Sequence, residues 1–223
     1  MSDDSLLPAR RVRRRGNLRA ALLDAGVALA REGGPSAVVL REVTRRAGVV
    51  PNAAYRHFEN HQALFEAVRG VALAQLAHAI EAEIEAVQSD DLRLHARATF
   101  RGVGLGYLRF ARREPGLFRT AFAARPFDVN ESHGDQESAR GASGMDPFQL
   151  LASALDGMVH AGLMSPEHRP GAEWMAWSAV HGMAFLVLNG PLRGQGEAEC
   201  QVLAERLVAM VERGLLAETP ARG

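Results

Sequence analysis

The chain is 223 residues long, 47% hydrophobic and 23% charged, with 26 basic against 26 acidic side chains; it is long enough to bury a core and too apolar for general disorder. No run approaches the roughly 18 uncharged apolar residues of a membrane span and residues 1–8 lack a signal peptide's apolar core, so a cytoplasmic protein with no membrane partner is expected. The lone Cys200 excludes a disulfide framework and a paired-cysteine metal knuckle. Net neutrality hides an asymmetry, because residues 10–60 hold eleven arginines against Asp24, Glu32, Glu42 and Glu59, and clustered cations suit a polyanion through phosphate contacts and counterion release.

Residues 1–16 carry Arg10, Arg11, Arg13, Arg14 and Arg15 without apolar periodicity and read as a flexible basic arm, either laid along a polyanion or simply solvated. From Asn17 the pattern is helical: Leu18, Leu22, Ala25 and Leu29 recur at helical spacing up to Gly33-Gly34-Pro35. Leu40, Val43 and Ala47 mark a short second helix, stopped by Gly48, which suits a left-handed turn. Pro51 opens a third helix of two turns, to about Phe58, since proline is tolerated where its missing N–H has no partner to lose. A long helix starts near His61, with Leu76, Ile80, Ile84 and Val87 as its apolar stripe, and reaches about Gln88.

Helical segments follow over 91–113 and 115–124, the second opened by Pro115. Residues 125–144 are polar, glycine-containing and aperiodic, which predicts a loop that either gates a site or merely connects helices. Asp146-Pro147 with Gln149 predicts a capped helix start, continued by Phe148, Leu151, Leu155, Met158 and Val159. Trp174, Trp177, His181, Ala184 and Leu188 line another helix, closed by Asn189-Gly190-Pro191, and Leu203, Leu207 and Met210 line a final one. With no strand alternation and no internal repeat, the fold class is all-α.

Two short helices separated by a glycine-containing turn, inside a basic segment, match the helix-turn-helix arrangement in which the second helix enters the DNA major groove. Its first turn, Pro51, Asn52 and Ala53, then faces the base edges. Asn52 alone has a side chain able to read hydrogen bonds, while Pro51 and Ala53 suit a thymine methyl. Arg41, Arg45 and Arg46 are placed to reach phosphates or a guanine, and Tyr55, Arg56, His57 and His61 ring the groove with phosphate donors. The plainer alternative makes Arg45 and Arg46 a solvated face and Tyr55 and Phe58 core aromatics, with Phe58 in the core on either reading. For Tyr55 a packed ring with its hydroxyl on phosphate is a third arrangement.

The stretch LREVTRRAGVVPNAAYRHFENHQALF, residues 40–65, resembles the DNA-binding signature of the TetR family in order and spacing. With the preceding helix the resemblance covers about residues 17–65. It implies a two-domain, dimeric, ligand-responsive regulator: arm 1–16, helix-turn-helix domain 17–63, helical ligand-binding and dimerisation domain 64–216, and tail 217–223. Carried onto this sequence, it implies that Tyr55 and His57 contact phosphate, that Arg41 and Asn52 face the groove, and that His61 starts the fourth helix as a cation-capable residue. Val39, Val50 and His61 depart from the family's frequent serine or threonine, serine, and lysine; two helix N-caps are thereby lost, at about 1 kcal/mol each. The C-terminal helices also resemble a subgroup marked by a tryptophan and, four residues on, a histidine-glycine pair, here Trp177, His181 and Gly182.

The glycines Gly102, Gly104 and Gly106 lie in a helical setting and do not form a nucleotide loop, which needs a preceding strand; they predict close helix packing or room for a ligand. No E-x-x-H or H-E-x-x-H pair and no G-x-S-x-G motif occurs, so neither a metal, a cofactor nor an enzyme of helices is expected. An architectural DNA-binding protein without a sensor is the alternative reading. For a regulator, the partners implied are double-stranded DNA, a second copy of the chain through the last two helices, and a small-molecule effector. Tyr107, Phe110, Met158, Trp174, Trp177 and His181 are the candidate lining of its site; for His181 the alternative is a buried histidine bonded to nearby backbone or water.

Overall fold

The computed structural model describes residues 7–123 and 137–216. Among them are nine α-helices and no strand: α1 (Leu7–Gly33), α2 (Leu40–Arg46), α3 (Pro51–Ala54), α4 (His61–Glu85), α5 (Leu92–Arg113), α6 (Pro115–Ala121), α7 (Pro147–His160), α8 (Ala172–Asn189) and α9 (Glu197–Leu216). The protein is all-α.

Four boundaries differ from the sequence reading, one of them the end of α6, at Ala121 rather than residue 124. The first helix begins at Leu7 rather than Asn17, so residues 7–16 of the expected arm are helical; arginine is a good helix former, and Pro8 falls in the first turn where proline is tolerated. The third helix is a single turn, after which the N–H groups of His57 and Phe58 both bond the carbonyl of Ala54. The long helix stops at Glu85 rather than Gln88. Of the expected loop 125–144, residues 125–136 lie outside the described residues, as do 1–6 of the arm and the tail 217–223.

The chain forms two compact units, one drawn from Met1–Ala72 and Gly116–Arg125, the other from Leu73–Pro115 and Pro126–Gly223. Residues 64–72 of α4 and residues 116–121 of α6 therefore join the helix-turn-helix, whereas the sequence reading places both stretches in the second domain. The reason is packing: a Cβ at Gly26 of α1 would lie 2.6 Å from Val68 of α4, and the guanidinium of Arg69 donates to the carbonyl of Ala121 at 3.0 Å. A second close approach holds α6, because a Cβ on Gly116 would collide with the carbonyl oxygens of Ala30 and Arg31 at the end of α1. Leu22, Val38, Val43, Ala54, Phe58, Leu64 and Val68 form the core of this head.

By length and composition α4 is apolar enough to cross a membrane, which the sequence reading does not anticipate. Its apolar stretch carries the Glu66–Arg69 ion pair, and Leu64, Val68, Ala72, Leu76, Ala77 and Ile80 are fully buried within the protein, as in a core helix.

In the second unit the three glycines of α5 resolve into packing. A Cβ on Gly106 would sit 2.9 Å from the Ile80 Cα and 3.0 Å from the Ala79 carbonyl oxygen of α4, and one on Gly104 would sit 2.8 Å from a methyl of Val208 in α9. Both helices thus approach α5 at positions where it has no side chain. Asp91 caps α5 by accepting from the N–H groups of Arg93 and Leu94. Asp146 and Gln149 form the anticipated capping box of α7.

Candidate nucleic-acid interface and aromatic cluster

In the head, α2 ends in a Schellman turn built on Gly48 at φ 69°. The N–H of Gly48 bonds the Arg45 carbonyl at 3.2 Å, and that of Val49 bonds the Thr44 carbonyl at 2.9 Å, a reversal that only a residue at ease in the left-handed region accepts. Thr44 is itself buried and turns its hydroxyl back on the carbonyls of Leu40 and Arg41. Pro51 then restarts the helix. Val43 and Ala54 are 0% exposed and Phe58 is 4% exposed, so the two short helices are pinned by their inner faces while their outer faces stay in solvent.

On that outer face Arg41, Arg45, Arg46, Pro51, Asn52, Tyr55, Arg56 and His61 are exposed, and Ala53 and His57 are partly exposed. The structure separates these ten residues by what already engages them. Arg45 is held by both carboxylate oxygens of Glu42, at 2.8 and 2.5 Å, and Arg46 by Glu32 of α1, at 2.7 and 2.5 Å. Each arginine keeps its partner's carboxyl below the usual carboxylate range. Two of the arginines counted as phosphate donors are thus already neutralised.

Tyr55 is 54% exposed, so its ring is not a core aromatic; Phe58 is the core member of the pair, with Arg19 stacked over its ring at 5.0 Å. The residues at the N-cap positions of α2 and α3, Val39 and Val50, make no side-chain cap, as their valine side chains dictate. At the start of α4 the cap comes from Asn60, whose side-chain oxygen accepts from the Ala63 N–H at 2.8 Å. His61 donates from Nε2 to the Val38 carbonyl at 2.6 Å, tying that helix start to the segment before α2.

In the second unit, Tyr107 of α5 meets Trp177 and His181 of α8. The indole N–H of Trp177 can only donate, and it reaches the Tyr107 hydroxyl at 3.1 Å. That hydroxyl lies 2.7 Å from Nδ1 of His181. Burial lowers the His181 pKa and so favours the neutral ring; the phenol then donates to Nδ1, and the proton of the imidazole sits on Nε2. Burial likewise raises the Tyr107 pKa, with the Trp177 bond opposing it, so the hydroxyl keeps its proton. One partner of His181 is therefore the Tyr107 side chain, through Nδ1.

Phe148, in the first turn of α7, packs at 5.2 Å from the Trp174 ring and 5.7 Å from that of Trp177, and the two indoles are 5.7 Å apart. Four of the six expected lining residues, Tyr107, Trp174, Trp177 and His181, thus meet in one cluster. Phe110 and Met158 are core side chains, 5% and 1% exposed. Phe148 was missed as a member: its helical periodicity marks it as apolar, and nothing in the spacing says that α7 delivers it to α8. Among the described residues no group of three or more His, Cys, Asp and Glu forms a metal site.

A buried carboxylate anchors the turn before α7. Glu81 of α4 is buried and accepts from the N–H groups of Ala142 and Ser143 at 2.8 and 2.9 Å and from the Ser143 hydroxyl at 2.6 Å. Burial alone raises its pKa, but those three donors and His78 more than offset this and hold it below the ordinary value. A Cβ at Gly141 would collide with the Glu81 carboxylate, so the turn leading into α7 is shaped around it.

Residues 22–68 match the family model described as "Bacterial regulatory proteins, tetR family", and residues 100–211, half of the chain, match "Tetracyclin repressor-like, C-terminal domain". The chain belongs to the TetR family. Its fold is shared with a protein of unknown function from Rhodococcus sp. RHA1, at 24% identity over 90% of this chain and 96% of that one with a TM-score of 0.69. It is also shared with a TetR-family transcriptional regulator from Pectobacterium atrosepticum, at 18% identity, 92% and 97% coverage and a TM-score of 0.61. A TetR variant from Acinetobacter baumannii AYE, solved in complex with minocycline, is similar at 17% identity, 92% and 98% coverage and a TM-score of 0.54. No curated protein matches the chain in sequence. As a TetR-family member with this helix-turn-helix, the protein is a DNA-binding transcriptional regulator.

Proposed function

We propose that the protein is a ligand-responsive, dimeric repressor acting in the cytoplasm, which reads a palindromic operator and releases it when a small molecule binds at the aromatic cluster. The observation that carries the DNA reading is Asn52: it is exposed on the first turn of a helix whose inner face is locked by Ala54, Phe58 and the Gly48 turn. A fixed helix with one outward amide is suited to bidentate contact with an adenine edge. Pro51 and Ala53 flank it, and Arg41, Tyr55, Arg56 and His57 have the reach and chemistry to set its register on phosphates. Arg45 and Arg46 join them only by exchanging Glu42 and Glu32 for phosphate.

The sensor reading rests on the Tyr107–His181–Trp177 hydrogen bonds and the packed rings of Phe148 and Trp174, with Trp177, His181 and Gly182 as the subgroup mark. The minocycline complex of the Acinetobacter baumannii protein supports a small molecule as effector by likeness of fold. Ligand acts by population shift, favouring a dimer whose two heads no longer fit half-sites about 34–36 Å apart.

The test is a titration of the protein against the DNA upstream of its own gene, at two salt concentrations and with competitor DNA, alongside Asn52→Ala and Tyr55→Phe. Specific, salt-sensitive binding, with sequence preference altered by Asn52→Ala, is the expected result. Equal affinity for every sequence replaces this reading with an architectural protein.

A further inference from the structure

Val50 stands at the N-cap of α3 and, at 68% exposed, is the most exposed large apolar side chain among the described residues. Its presence there is unfavourable on two counts. A valine cannot cap the helix, and the N–H groups that a serine or aspartate would satisfy receive no side-chain bond from it. Its methyl groups are also left in water, where apolar surface gains nothing. The residue is nonetheless held in place: its backbone sits at φ −76° and ψ 146°, and its carbonyl accepts the Ala53 N–H at 2.9 Å. A β-branched side chain has, besides, little rotamer freedom left to lose. Val50 thus presents a stiff apolar knob immediately before the outward residues Pro51, Asn52 and Ala53.

A local rule broken on a binding face points to a gain made when the partner arrives. The partner here is DNA, and its major groove carries one apolar group on the base edges, the C5 methyl of thymine. We infer that Val50 is a specificity-determining residue that covers a thymine methyl, so that the half-site carries an A·T pair beside the one that Asn52 reads. This rests on the groove reading of Asn52 and extends it. Of residues 50–53, Val50, Pro51 and Ala53 are apolar, Asn52 is an amide suited to adenine, and none is an arginine or lysine, the side chains that pair with guanine. The nearby Arg45 and Arg46 are held by Glu42 and Glu32. The face therefore reads methyl groups and adenine edges, and Val50→Ser trades a base contact for a helix cap.

To test this, the full-length protein selects its preferred duplex from a random pool. Each thymine of that duplex is then replaced in turn by uracil, which keeps the pairing and removes only the C5 methyl. Affinities of the parent, Val50→Ser, Val50→Ala and Asn52→Ala are compared on these duplexes, with thermal midpoints measured alongside. The parent is expected to lose about fourfold at one thymine, the factor that corresponds to one buried methyl group. Both Val50 variants abolish that loss and keep the penalties at other thymines, and Val50→Ser melts no lower than the parent because its hydroxyl can cap α3. A parent indifferent to every uracil, or Val50 variants that keep all its penalties, overturns the inference; relaxed preference in Asn52→Ala then leaves the groove reading standing. Penalties lost at every thymine together with a lowered midpoint give Val50 a structural role only and overturn it as well. A pool in which no sequence is enriched overturns it along with the groove reading.

Discussion

The two units use the same pair of residue types, arginine and glutamate, in opposite ways. In the head, Arg46 and Glu32 meet on the surface, with side-chain exposures of 37 and 59%. In the second unit Glu212 of α9 is 0% exposed and lies between the guanidinium groups of Arg97 and Arg101 of α5, each at 2.5 Å. A surface pair is screened by water and salt and contributes little, whereas a buried carboxylate has lost its hydration and depends on its partners. The head therefore keeps charges that exchange readily, as suits a surface that meets a polyanion, while the second unit uses charge to fix α9 on α5.

The largest expected effect breaks that comparison at its strong end. Arg97→Ala with Arg101→Ala leaves the Glu212 carboxylate buried without either partner, and urea unfolding should show a loss of about 3 kcal/mol, the lower end for an uncompensated buried charge because shortening both half-exposed arginines admits water. A double variant as stable as the parent would refute the claim that Glu212 needs them. Next is Gly116→Ala in the head, where a methyl must push α6 off the carbonyls of Ala30 and Arg31; overpacking of this kind costs about 1–3 kcal/mol, read as a fall in the unfolding midpoint.

A smaller effect follows pH. The folded pKa of His181 lies below its ordinary 6.5, so between those two values the unfolded chain binds more protons, and stability falls as pH drops from 7 through 6.5 until the folded pKa is passed. His181→Gln should flatten that part of the profile, measured as the difference in urea midpoint between the two proteins at several pH values. Glu81 has the opposite kind of shift: its depressed carboxyl stabilises above the ordinary 4.5, and that contribution is lost only as pH falls below it, so Glu81→Gln leaves the slope near neutrality unchanged. At the weak end, Glu42→Ala should leave the unfolding midpoint unmoved while freeing Arg45, and the salt dependence of DNA binding should steepen as one more cation becomes available.

Much of this molecule was legible from spacing alone. The helices, the reversal at Gly48, the proline starts of α3, α6 and α7 and the Asp146 capping box all arise from residues within about five positions of one another, and the backbone answers to such neighbours directly. The missing caps at Val39 and Val50 came from the family resemblance, whose frequent serine or threonine these valines replace. Where spacing misled, the arginine run, made of good helix formers, continues α1, and α4 is divided between two cores, Val68 serving one and Ile80 the other. Tertiary structure alone decided which charges are spent and which rings meet. Glu32 neutralises Arg46 from fourteen residues away, Glu81 reaches the turn at 142–143, Glu212 joins Arg97 and Arg101 across more than a hundred residues, and Phe148 arrives beside Trp174 from another helix. Periodicity tells a helix which side to bury; which helix it is buried against depends on close packing of whole surfaces, down to where Gly106 and Gly116 let two backbones touch.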